Sequence, residues 1–132
     1  MRTPEKTVVE KMFAAFADQD VAAAVSTVSE DTVWIHHGTQ KLPSMRFVGR
    51  KGVQQFFEIN FTTMQMDYFR VKQVVQDGQV VIALGEERFT MAGREGAMAQ
   101  KWVQVYTVEN GLITRMEEFA TSVDDKDYGV VA

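Results

Sequence analysis

The sequence predicts an α+β domain in which helices come first and an antiparallel sheet follows. Three observations carry that expectation. Apolar residues recur at helical spacing through the first half, β-branched and aromatic residues take over from Tyr68 onward, and the dipeptides Asp77-Gly78 and Asn110-Gly111 punctuate the second half. Asp-Gly and Asn-Gly are strong hairpin signals, because a type I′ turn needs positive φ at both central residues.

Thr3 is placed to cap a first helix with Pro4 at its first position, and Val9, Met12, Phe13 and Phe16 give it one apolar stripe through Ala17. Asp20 caps a second, short helix in which Val21, Val25 and Val28 repeat every three or four residues. TVWIHH, Thr32 to His37, reads as a short strand, and Gly38 to Gly49 as a loop holding Pro43. A third helix follows Gly52, with Val53, Phe56, Phe57, Asn60, Phe61 and Met64 on one face. Four antiparallel strands are then expected near 68–76, 79–91, 98–108 and 112–121, leaving an irregular tail of about 122–132.

At 132 residues and 45% hydrophobic content the chain suits a single domain over 1–132 with one core. Its net charge is −4 and its Lys and Arg residues are dispersed, so the basic footprint of a nucleic-acid binder is missing. There is no cysteine, which removes disulfides, thiolate nucleophiles and cysteine metal sites together. The first residues, MRTPEKTVVEKMF, lack the apolar run of a signal peptide, and no segment approaches the ~20 apolar residues of a membrane helix. The expectation is a soluble cytoplasmic protein with neither nucleic acid nor membrane as partner.

Tight hairpins set which side chains share a sheet face. Turns on Asp77-Gly78, Arg94-Glu95 and Asn110-Gly111 put Phe69, Glu86, Val103 and Glu118 in one row, with Val71, Leu84, Val105 and Met116 in the next. The opposite face then carries Arg70, Trp102, Gln104, Tyr106, Arg115, Glu117 and Phe119. The first face is more aliphatic and is expected inside, which makes Glu118 and Glu86 an inward pair with Cα atoms about 10 Å apart across two strand spacings. Burial and mutual repulsion would keep one carboxyl protonated, suited to general acid–base work. Pairing of either acid with Arg88 or Lys101, or exposure at the sheet rim, is the structural alternative.

Helix, short helix, strand, loop, helix and four-stranded meander resemble the nuclear transport factor 2-like superfamily over nearly the whole chain. The similarity is nearest to SnoaL-like polyketide cyclases and ketosteroid isomerase-like proteins, through Phe13 to Phe16 with Asp20, EDTVWIHHG, FVGRKGVQQFF and VQVYTVENGLITRMEEF. It implies a cone-like, curved mixed or antiparallel sheet with three N-terminal helices packed on its concave face. It also implies that Met116, Glu118 and Ala120 of the last strand point inward, with Val33, Ile35 and His37 of the first strand. His36 remains open as the substitute for His37.

The isomerase catalytic pattern does not carry over. Its general-base aspartate would fall on Ile35, its oxyanion tyrosine near Met12, its oxyanion aspartic acid near Val103 and a supporting tyrosine on Phe57. Steroid double-bond isomerisation by that mechanism is therefore not expected.

The resulting site is an apolar pocket walled by Met12, Phe16, Ile35, Phe57, Phe61, Val103, Val105 and Met116, with Glu118, Glu86 and His37 as catalytic candidates. Such a site suits a small hydrophobic carbonyl compound, polyketide- or steroid-like, and cofactor-free isomerase, cyclase or dehydratase chemistry. The other reading is a noncatalytic binding or assembly domain. The two histidines are adjacent rather than spaced as ligands and no HExxH run occurs, so no metal is expected; neither a phosphate loop nor a GxSxG elbow is present. Tyr68, Trp102, Tyr106 and Phe119 form an expected outer aromatic patch for a homodimer, against the alternative that the C-terminal tail covers it in a monomer.

Overall fold

Local chemistry sets the first helix. The computed structural model describes residues 3–131. Helix α1 (Pro4–Ala17) begins where the Thr3 hydroxyl accepts the Lys6 N–H at 3.2 Å, with Pro4 in the first turn where no amide donor is needed. Helix α2 (Val21–Val25) starts on Asp20, whose carboxylate accepts the Ala23 N–H at 3.0 Å. It is shorter than its apolar spacing implied, because Val28, wholly buried, instead opens strand β1 (Val28–His36). Strand β2 (Met45–Val48) forms inside the expected loop and leads into α3 (Gly49–Thr63).

The rest is a meander: β3 (Met64–Asp77), β4 (Val80–Met91), β5 (Ala97–Glu109) and β6 (Leu112–Ser122), followed by one 3-10 turn at Asp125–Asp127. The six strands make a curved, unclosed, mixed sheet in the order β2-β1-β6-β5-β4-β3, and β1 and β6 run parallel. Val9 and Met12 of α1 and Val53 and Phe57 of α3 pack on Trp34, Val81, Trp102, Tyr106 and Met116 of the sheet, which is the main core. No described helix is long and apolar enough to cross a membrane.

The Asn110-Gly111 hairpin forms as its dipeptide predicts, with φ of 52° and 78°. The first hairpin instead turns on Gly78 and Gln79, so that Asp77 pairs with Val80. Bulges then change which side chains share a face. Between the pairs Thr107↔Arg115 and Val108↔Ile113 the strand β6 carries one extra residue, Thr114, and β3 carries extra residues at Asp67 and Lys72. Each unpaired residue inverts the alternation beyond it. Val103 therefore pairs with Phe119, and Gln104 with Glu118.

Glu118 and Met116 face inward as expected, but β4 and β5 present the opposite side from the one their aliphatic content suggested. Trp102, Gln104, Tyr106, Glu87 and Phe89 are buried under the helices, while Leu84, Glu86, Val103 and Val105 alternate with them and face outward. Aromatic area explains the choice: the inner face supplies stacked and edge-on rings, such as Phe69 on Trp102 at 5.0 Å and Phe13 edge-on to Tyr106 at 5.9 Å. Gly85 makes room for that packing. A Cβ there would lie 2.1 Å from the Trp102 ring and 2.3 Å from the Arg70 carbonyl oxygen.

The tail folds back on its own chain. Tyr128 donates its hydroxyl to the Ser122 carbonyl, and Lys41 lies 3.3 Å from Asp124 and 3.2 Å from Asp127.

Candidate functional site

Between the helices and the concave face of the sheet lies a cavity of about 330 Å³. That is the lower end of the ordinary range for small-molecule sites. Phe13, Phe16, Phe57, Phe69, Met66 and Met116 supply much of its wall. One edge of its floor, where β1, β6 and β5 lie side by side, is polar.

Parallel pairing places His36 directly beside Glu118, and the ring Nε2 lies 2.9 Å from Glu118 Oε1. The Gly38 N–H donates to His36 Nδ1 at 3.0 Å, which assigns the proton of the neutral ring to Nε2, facing the carboxylate. Gln104 Nε2 donates to the other oxygen of Glu118 at 2.6 Å, and the Tyr106 hydroxyl donates to Gln104 Oε1. The two bonds together set the orientation of the Gln104 amide. Burial, and then the charge of Glu118, push the Tyr106 pKa well above its ordinary value, so the phenol stays a donor.

For His36, burial disfavours the charged ring, but the hydrogen bond to Glu118 and its charge outweigh that and raise the pKa. A second ring proton can arrive only at Nδ1, where it displaces the Gly38 bond. Gly38 itself has φ 85°, and a Cβ would lie 2.9 Å from the Ser44 nitrogen, so this corner requires glycine.

A second carboxyl lies farther along the same face. Glu87 is 7% exposed, and its side chain accepts one bond, from Gln100 Nε2 at 3.2 Å. Its pKa is pushed up to about 8, mainly by burial and further by the charge of Glu118. The cavity therefore holds Glu118, bound by two donors, and a second carboxyl, Glu87, that keeps its proton near pH 7. Two carboxyl groups in such unlike surroundings are suited to act as base and acid in one site. Among the described residues no cluster of three His, Asp or Glu side chains is arranged to hold a metal ion.

Of the residues proposed from sequence, Met12, Phe16, Phe57, Met116 and Glu118 line this cavity, and Phe61 lines an adjoining recess. The others lie elsewhere. Ile35, Val103 and Val105 alternate with the inward residues of β1 and β5 and face the other side of the sheet. Glu86 also points outward, where Arg70 at 3.1 Å and Lys72 at 3.8 Å hold it, and the Arg70 bond lowers its pKa. His37 lies on the outer face against Glu117 at 3.1 Å, stacked on Phe119 at 4.5 Å. Its place in the cavity is taken by His36, and that of Glu86 by Glu87. Trp34 lines the cavity instead of Ile35.

The same inversion removes half of the expected dimer patch. Trp102 and Tyr106 are 2% and 1% exposed beneath the helices, whereas Tyr68 and Phe119 stay on the outer face. Gln104 and Gln100 were missed, since a polar residue on a strand reads as solvent-facing until its partner is known.

The mouth is framed by two loops. Leu42, Pro43 and Met45 stand on one side and Met91 and Arg94 on the other. The Arg94 guanidinium donates to the Lys41 carbonyl at 2.9 Å and joins the loops, while Gln40 anchors the first loop to Thr121 at 2.9 Å and to the Ser122 N–H at 2.9 Å.

Helices over a curved sheet around an apolar chamber define an α+β protein of the nuclear transport factor 2-like kind. The chain belongs to the SnoaL-like domain family, whose pattern it matches over residues 9–116. Solved structures share the fold. A nuclear transport factor 2-like protein of Burkholderia xenovorans has a TM-score of 0.79 at 20% identity, covering 89% of this chain and 88% of that one. A Mycobacterium tuberculosis protein in complex with estradiol-17beta-hemisuccinate has a TM-score of 0.76 at 14% identity, over 89% and 94%. An epoxide hydrolase of M. tuberculosis has 0.69 at 14% identity, over 94% and 85%. No functionally curated protein matches the sequence.

Proposed function

We propose that the chamber binds a small hydrophobic carbonyl compound, of polyketide- or steroid-like shape, and catalyses cofactor-free proton transfer beside the carbonyl. The observation that carries this reading is the pair of unlike carboxyl groups, Glu118 and Glu87, in one apolar cavity. Glu118 is the base. His36 and Gln104 hold its two oxygens, and the neutral Glu87 donates a hydrogen bond to the oxygen on which enolate charge develops. Isomerisation, aldol cyclisation and dehydration all begin with such an enolate. Neighbours of the same fold crystallised with a steroid ester and with polyporic acid support a ligand of this size.

Deuterium incorporation at the α-carbon of a hydrophobic ketone, followed by NMR, tests the step. Glu118→Gln is expected to lower the exchange rate at least about 100-fold, as removal of a general base does, while ketone affinity changes little. Undiminished exchange would remove Glu118 from the role.

A ligand carrier without turnover is the second reading. It is favoured by the hydrogen bonds that both Glu118 oxygens already accept, since they occupy acceptor positions that a base turns to its substrate. Wild-type protein that binds the ketone without exchanging its α-protons would select it.

We also propose a homodimer through the outer sheet face, in which Phe119 of the expected patch remains and aliphatic residues replace Trp102 and Tyr106. Ile82, Leu84, Val103 and Val105 form an aliphatic strip there beside Phe119, which is 49% exposed, and Val75, which is 38% exposed. Exposed apolar patches of this kind mark contact surfaces. Sedimentation equilibrium is expected to give a dimer at micromolar concentration and a monomer for Val105→Glu; a monomeric wild type would end the proposal.

A further inference from the structure

Beside the chamber, between the end of α1 and β3, lies a second recess of about 280 Å³. The two share Phe13, Phe16, Asn60, Met64, Met66 and Phe69 as common wall. What the recess adds is Ala17, Gln19, Phe61 and Val71. Ala17 and Gln19 are solvent-exposed and Val71 is 38% exposed, so this end reaches the surface. It shares none of the residues that frame the mouth, Leu42, Pro43, Met45, Met91 and Arg94.

The two openings differ in chemistry. The mouth carries the Arg94 guanidinium on the Lys41 carbonyl. The recess is aromatic, thioether and aliphatic, with Gln19 and Asn60 as its polar residues, and the Asn60 amide nitrogen is occupied by the Phe56 carbonyl at 2.7 Å. All the titratable groups of the chamber sit on the sheet floor or at the first mouth.

We infer that the chamber and recess form one continuous site for an elongated ligand, whose carbonyl head rests at Glu118 and Glu87 and whose unbranched or flat apolar tail leaves between α1 and β3 over Phe61 and Val71. The inference rests on the reading of the chamber as the ligand site and adds the class of ligand: a long-tailed ketone rather than a compact one. An apolar tail in the recess covers surface that water otherwise wets. The same tail at the first mouth would take the guanidinium charge out of water with only the neutral Lys41 carbonyl to hold it.

Methyl n-alkyl ketones of six to twelve carbons, measured by equilibrium dialysis, test this. Kd is expected to fall about fourfold for each added methylene through the whole series, the increment for full burial of one CH₂. Ala17→Trp and Val71→Trp fill the recess from opposite sides at solvent-exposed positions. Each is expected to leave the affinity for the six-carbon ketone within about twofold of wild type and to weaken the twelve-carbon ketone at least about tenfold. An unchanged chain-length slope in both variants, a wild-type slope that stops before the series ends, or no binding of any ketone would overturn the inference. Glu118→Gln separates this outcome from the chemistry: it is expected to keep the full slope whether or not exchange is lost.

Discussion

Glu87 shows how one buried side chain couples the site to stability. Between the ordinary carboxylate range and about 8, the folded protein keeps a proton on Glu87 that the unfolded chain has released. Stability therefore falls as pH rises through that window, by on the order of 1 kcal/mol for each pH unit. His36 acts in the same direction. Its raised pKa contributes stability that is complete below the ordinary histidine value and is lost as pH rises through the folded value. Urea unfolding midpoints are expected to decline from pH 6 to 8, and Glu87→Gln, which keeps a hydrogen bond to Gln100 possible, is expected to flatten most of that decline and leave the part due to His36. An unchanged slope in the variant would place the Glu87 proton elsewhere.

Gly85 acts at the same scale through space alone. The indole of Trp102 lies where a Cβ would be, and the alternative direction is closed by the Arg70 carbonyl. Gly85→Ala is expected to destabilise the fold by about 1–3 kcal/mol, the usual cost of overpacking, and to shift tryptophan emission as Trp102 moves. A neutral result in thermal denaturation would mean that the strand gives way there.

At the scale of elements, helix ends and sheet strands are tied together by single side chains. The Thr3 hydroxyl accepts the Lys6 amide and also meets Gln76 at the far end of β3, whose amide nitrogen reaches Glu5 at 2.8 Å. Thr3→Ala removes both the cap and the cross-tie, so a loss of about 1–2 kcal/mol is expected in chemical denaturation; Thr3→Ser, which keeps the hydroxyl, should restore most of it.

The loop after β1 is tied in a comparable way. His36 holds the Gly38 amide, Arg94 holds the Lys41 carbonyl, and the Lys41 side chain reaches the two aspartates of the tail. The elements that frame the mouth are thus linked both to the floor of the cavity and to the C-terminal turn.

Across the whole molecule, the sheet separates two apolar faces. One is aromatic and closed by the helices, with the polar pair on its floor; the other is aliphatic and open. The more aliphatic face is not the inner one because rings fill a helix-covered core with fewer, larger contacts, whereas β-branched residues suit a pleated, half-buried surface.

Much of the architecture is legible in the chain. The Thr3 and Asp20 caps, the α3 stripe from Val53 to Phe61, the Asn110-Gly111 turn and the α+β order are local properties, set by hydrogen bonding and dihedral preference within a few residues, and they stand in the structure as their residue types imply, whereas Met64, expected on that stripe, opens β3. Glu118 and four wall residues of the chamber, Met12, Phe16, Phe57 and Met116, come from the same periodicities. Which neighbour of each adjacent pair points inward, His36 or His37 and Glu87 or Glu86, was decided by tertiary structure. Thr114, Asp67 and Lys72 are ordinary strand residues with no local mark of a bulge, yet each inverts the facing of the residues beyond it. They accompany the burial of Trp102 and Tyr106 beneath α1 and the parallel pairing of His36 with Glu118, contacts between distant parts of the chain that no local pattern encodes.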